Sequence, residues 1–115
     1  MYYKDLDAWK EAINLVKMIY ILTNDFPSDE KFGLVSQIKR AVISIPSNIA
    51  EGVSRYSDKD SSRFIDIALG SMAEVETQLI ISKELNFINN IDNELKQLKK
   101  VNALTSGLMK FYNKE

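Results

Sequence analysis

The chain has 115 residues, with 15 Lys and Arg against 16 Asp and Glu and a formal net charge of −1, so bulk charge gives no argument for a nucleic-acid partner. Apolar residues make up 45% and charged residues 27%, the balance of one globular domain over residues 1–115 that can bury a core without staples. With no Cys and no His, disulfides, zinc–thiolate sites, thiol nucleophiles and imidazole chemistry are all excluded.

No stretch approaches the ~18 apolar residues of a membrane span. The opening Met1-Tyr-Tyr-Lys-Asp5 is polar and lacks a signal-peptide apolar region, so the expected location is cytoplasmic, away from membranes. Two prolines and four glycines among long periodic segments predict an all-helical chain. The first helix is expected from Asp7 to Asn24, with Leu6, Trp9, Ile13, Val16 and Tyr20 spaced three and four apart as its seam and Asp5 or Asp7 as its cap. Asp25-Phe26-Pro27 ends it, because the residue before proline disfavours helix.

The second helix is expected from Ser28 or Asp29 to Arg55. Pro46 lies inside it, and since the apolar stripe of Val35, Ile38, Val42, Ile45, Ile49 and Val53 stays in phase across the proline, one helix kinked there is expected rather than two. Ser57-Asp-Lys-Asp60 reads as the start of a third helix reaching Leu85, with Phe64, Ala68, Val75 and Leu79 facing inward. Asn89-Asn90 marks a turn. A fourth helix from Ile91 to Tyr112 follows, with Ile91, Leu95, Leu98, Thr105, Leu108 and Tyr112 inside. Four helices with short connections predict an antiparallel up-and-down bundle.

The polar face of the second helix is unusual. Gln37, Arg40, Ser44, Asn48, Glu51 and Arg55 line up along one narrow stripe, and short side chains such as Ser44 and Asn48 are poor choices for a face that only needs solvating. Asp60, Arg63, Gly70, Glu74 and Gln78 occupy a sector of the third helix beside its core face, and Gly70-Ser71, with Ala68 and Ala73, forms a patch of small residues that a neighbouring helix can approach closely. Arg40 or Arg55 is placed to pair with Glu74 or Glu51, and Asn48 and Gln78 to bridge the helices. These residues read as helix-register contacts or as a subunit interface. On the fourth helix, Lys96, Lys99, Lys100, Lys110 and Lys114 fall within about a 100° sector opposite the apolar stripe, with no acidic residue between Leu95 and Lys114. That face is either a solvated one or a surface for RNA or DNA phosphates.

Catalytic readings are thin. The acid–base pair the chain offers is Glu51 with Glu74. Ile49-Ala-Glu-Gly-Val-Ser-Arg55 has only a faint likeness to a helix-turn-helix, and its Ala50 and Gly52 are too close together for that motif. Glu74-Val-Glu76 lacks the histidines that a carboxylate-bridged metal pair requires. No catalytic residue, metal, cofactor or small-molecule substrate is expected.

Several pieces together carry a family resemblance. They are Asp5-Leu6, Trp9 and Ala12; Phe26-Pro27, Glu30 and Phe32-Gly33-Leu34; Gln37, Arg40-Ala41, Ser44-Ile45-Pro46, Asn48-Ile49-Ala50-Glu51-Gly52 and Arg55; then Ala68, Gly70-Ser71, Glu74 and Thr77-Gln78-Leu79. In order and spacing the chain resembles, over about residues 3–88, the small bacterial four-helix-bundle proteins first described as products of intervening sequences in 23S ribosomal RNA genes. The resemblance implies an antiparallel four-helix bundle that assembles with itself into a ring, a homopentamer, without established enzymatic activity and with a largely unknown role. Accessory proteins of diversity-generating retroelements, which bind nucleic acid and a reverse transcriptase, look like distant relatives.

Overall fold

A computed structural model describes residues 1–114. Four helices account for most of it: α1 over Asp7–Thr23, α2 over Leu34–Val53, α3 over Asp58–Glu84 and α4 over Asp92–Asn113. Each helix packs against its neighbour in sequence, α1 on α2, α2 on α3 and α3 on α4, and α1 closes against α4. This four-helix bundle measures 43 × 24 × 20 Å. Among the described residues no helix is long and apolar enough to cross a membrane.

The boundaries follow local chemistry. Ser57 is the N-cap of α3, and its hydroxyl accepts from the Asp60 amide at 3.1 Å, as the Ser-Asp-Lys-Asp signature predicts. At the other end Asn86 adopts φ 63°, and the Phe87 and Asn86 amides donate back to the Ser82 and Lys83 carbonyls. That is a left-handed helix stop with asparagine in glycine's place. Asn90 Oδ1 then accepts from the Asp92 amide at 2.8 Å and opens α4.

Two expected starts differ. Ser28–Glu30 forms a separate 3-10 turn and α2 begins only at Leu34. Gly33, at φ −106° and ψ −110°, breaks the helical run, and the Glu30 carboxylate reaches over it to accept from the Leu34 amide at 3.3 Å. At α1 the N-cap position is Leu6 and no side chain caps it. Asp7 instead sits in the first turn, where its charge suits the helix dipole.

α2 runs as one helix through Pro46. The proline has no N–H for the Val42 carbonyl. The next two carbonyls gain side-chain donors instead, Ser47 Oγ to Ile43 O at 2.8 Å and Asn48 Nδ2 to Ser44 O at 2.8 Å. Val35, Ile38, Val42, Ile45, Ile49 and Val53 are all buried as their spacing requires. On α1, however, the buried residues are Ala8, Ala12, Leu15, Ile19 and Thr23. The expected seam of Leu6, Trp9, Ile13 and Val16 is only half-buried, and Tyr20 is exposed. The helix is turned by about one residue, or ~100°, because small Ala8 and Ala12 let it sit close to its neighbours while the larger side chains wrap the flank. On α3, Ile65 and Met72 join Ala68, Val75 and Leu79 in the core, and Phe64 is displaced to its edge. On α4, Leu98, Val101, Thr105 and Tyr112 are buried, as is Ile91 at its N-cap, with Leu95 and Leu108 packed against them.

Candidate interaction surface on α2 and α3

The α2–α3 contact is the most extensive in the bundle, and the two helices approach closely at Gly52. A Cβ on Gly52 would lie 3.0 Å from the Ser61 carbonyl oxygen and 3.0 Å from Ile65 Cδ1, so only glycine fits without displacement. Gly70 is different: nothing lies within 4 Å of a Cβ placed there. The small patch therefore splits. Ala68 and Ser71 are buried against the bundle, whereas Gly70 and Ala73 face outward.

Between these helices a polar chain replaces the expected Asn48–Gln78 bridge. Ser71 Oγ donates to Ser44 Oγ at 2.9 Å, and Asn48 Nδ2 donates to the same Ser44 oxygen at 2.8 Å. One hydroxyl thus ties α3 to α2 while the carboxamide bonds along its own helix. Arg55 and Glu51 form an i,i+4 ion pair at 2.8 Å on the surface, the geometry that adds a few tenths of a kcal/mol to a helix (roughly 0.3–0.5). Phe64 lies near two guanidinium groups, with Arg55 4.6 Å and Arg63 5.2 Å from its ring centroid, which explains its place at the core's edge. Arg63 also stands 3.9 Å from Asp60.

The remaining stripe residues line a groove. Gln37, Arg40, Ser44, Ser71, Glu74 and Gln78 surround an open cleft of about 580 Å³ together with Phe32 and Ser36. Arg40 and Glu74 are exposed and pair neither with each other nor with any other described residue. Gln78 is 9% exposed, and its Oε1 is buried without a hydrogen-bond donor. A buried acceptor left bare costs about 1–3 kcal/mol. Phe32, 90% exposed at the groove's edge, belongs to the residues that carry the family resemblance but not to the polar stripe expected to form the surface. It follows the proline turn outside any periodic segment, so no helical spacing marks it.

The lysine face of α4 is less free than its sequence suggests. Lys100 Nζ lies 3.0 Å from Glu11 on α1, and Lys114 Nζ lies 3.2 Å from Asp58. Lys96, Lys99 and Lys110 have no carboxylate partner among the described residues. Glu11 also accepts from Gln97 Nε2 at 3.0 Å and Asn14 Nδ2 at 3.1 Å. Those bonds, Gln97's first, and Lys100 hold its carboxyl down to about 2.

Fold and surface together define a four-helix bundle whose polar residues gather in an open groove between α2 and α3. A crystal structure of a protein of unknown function from the S23 ribosomal protein family, from Bacteroides thetaiotaomicron VPI-5482, has the same fold, at TM-score 0.60 and 24% identity over 91% of this chain and 90% of that one. The model of the 23S rRNA-intervening sequence protein family matches residues 4–108, and the chain belongs to that family. Among curated proteins none matches it.

Proposed function

We propose that this protein is a non-enzymatic bundle that assembles with copies of itself, in a ring of the pentameric kind, and acts as an interaction scaffold in the cytoplasm. The observation that carries the reading is the α2–α3 groove, where an unpaired guanidinium, an unpaired carboxylate and a bare buried carboxamide oxygen stand together. Arg40 and Glu74 are exposed at this groove without a partner among the described residues of their own chain, and a docked copy offers both an opposite charge. Glu51 is engaged by Arg55, which argues against an acid–base role for it with Glu74. Light scattering on Arg40→Ala and Glu74→Ala tests the assignment. Loss of mass relative to the native protein is expected for both, and unchanged mass with unchanged melting temperature refutes it.

A second reading, RNA or DNA binding on α4, is favoured by the three lysines that lack carboxylate partners. It predicts a low-salt gel shift that weakens steeply with added salt. The shift should disappear when Lys96, Lys99 and Lys110 are all replaced by Gln; binding that survives the triple change counts against it.

A further inference from the structure

The aromatic side chains are not spread evenly. Most of them gather at one end of the bundle, where the N-terminus, the α2–α3 turn and the last turn of α4 meet. Contacts fix that end: the N-terminal turn Tyr3–Asp5 packs on α1 and α2, the Tyr112 hydroxyl donates to Met1 Sδ at 3.8 Å, and Lys114 pairs with Asp58. The ring of Trp9 meets Tyr3 edge-on at 5.4 Å between centroids, and Tyr3 meets Tyr2 at 5.4 Å. Beyond Met1, Tyr112 meets Phe111 at 5.1 Å. The rings thus form one band across the end of the bundle, from α1 to α4. Tyr2 is 54% exposed and Phe111 60%, and Tyr56 in the α2–α3 turn is fully exposed.

Cations are interleaved with these rings. Lys4 Nζ sits 5.9 Å from the centroid of Tyr2, Lys110 precedes Phe111, and Lys59 follows the Tyr56 turn. None of the three lysines, nor the Met1 amine, has a carboxylate partner among the described residues. The acids at this end are mostly engaged: Glu51 by Arg55 at 2.8 Å, Asp58 by Lys114 at 3.2 Å and Asp60 by Arg63 at 3.9 Å. Asp5 and Asp7 are left. Protein interfaces are poor in lysine. Exposed rings set among unpaired lysines suit instead a polyanion whose flat groups can stack.

We infer that this end of the bundle binds single-stranded nucleic acid, with bases stacked on Tyr2 and Phe111 and phosphates on Lys4 and Lys110. This rests on the nucleic-acid reading above and names its substrate. Lys110 is common to both, so a strand lying along the α4 lysines reaches the rings where that helix ends. A duplex keeps its bases stacked on one another, so it can meet the lysines and leaves the rings unused.

Labelled oligothymidylate and its duplex with oligoadenylate, titrated into the full chain at low salt and followed by fluorescence anisotropy, decide it. Tyr2→Ala and Phe111→Ala should each weaken single-strand binding about tenfold and leave duplex binding unchanged. The single strand should also quench the emission of Trp9, the chain's one tryptophan, whereas a duplex held on the α4 lysines should not. Both rings are exposed, so each variant should keep its helical circular dichroism; if either does not, Tyr56→Ala takes its place with the same expected loss. Single-strand affinity that is unchanged in these variants overturns the stacking site and leaves the phosphate contacts of α4 standing. No binding of strand or duplex removes the nucleic-acid reading itself. Trp9 emission that answers to phosphatidylserine vesicles and not to the strand assigns this end to a membrane surface and overturns the inference.

Discussion

Replacing Gly52 by alanine sets helix propensity against packing, and Gly107→Ala supplies the reference. Both glycines lie inside helices with negative φ, so each substitution gains about 1 kcal/mol of intrinsic helix stability. At Gly107 nothing lies within 4 Å of the new methyl group. At about 4 °C per kcal/mol for a domain of this size, that variant should melt about 4 °C higher. At Gly52 the methyl meets Ile65 Cδ1, which can rotate away, and the Ser61 carbonyl oxygen, which cannot, because it belongs to the first turn of α3. Overpacking of this kind costs about 1–3 kcal/mol, so the net change runs from about zero to a loss of 2 kcal/mol. The two variants should therefore differ by about 4–12 °C, read by circular dichroism at 222 nm and equal protein concentration. Equal upward shifts in both would refute the close approach of α2 and α3 at Gly52.

Glu11 makes stability sensitive to acid. Its carboxyl is held at about 2 against an ordinary 4.5, so its contribution is complete above about 4.5 and is lost as pH falls toward 2. The wild-type melting temperature should drop through that window more than that of Glu11→Gln, and a normal Glu11 midpoint in an NMR titration would contradict the Gln97, Asn14 and Lys100 contacts. Ser71→Ala removes the hydroxyl that links α3 to Ser44 at 2.9 Å. A loss of about 1 kcal/mol is expected in urea unfolding, and no loss would mean that the inter-helix bond contributes nothing.

All four helices can be read in the residue order because helical periodicity, the Ser57 cap and the proline and asparagine turns are local signals. The α2 core stripe is equally plain, since large β-branched residues repeat there without competition. The buried face of α1 lies one residue from the expected seam because spacing identifies candidate faces but cannot rank Trp9, Ile13 and Val16 against Ala8, Ala12 and Leu15. Burial goes to whichever face the other three helices leave room for, and small residues win where backbones crowd. The same limit applies to the polar stripe. Its alignment on α2 is a property of the sequence. The division of labour within it depends on where α3 lies: Ser44 bonding Ser71, Arg55 held by Glu51, and Arg40, Glu74 and Gln78 left around a cleft. Charge followed the same rule, for Lys100 and Lys114 look as free as Lys96 along the chain until Glu11 and Asp58 arrive from other helices. Short-range spacing decides which residues share a helix face, while only the packing of distant segments decides what each face meets.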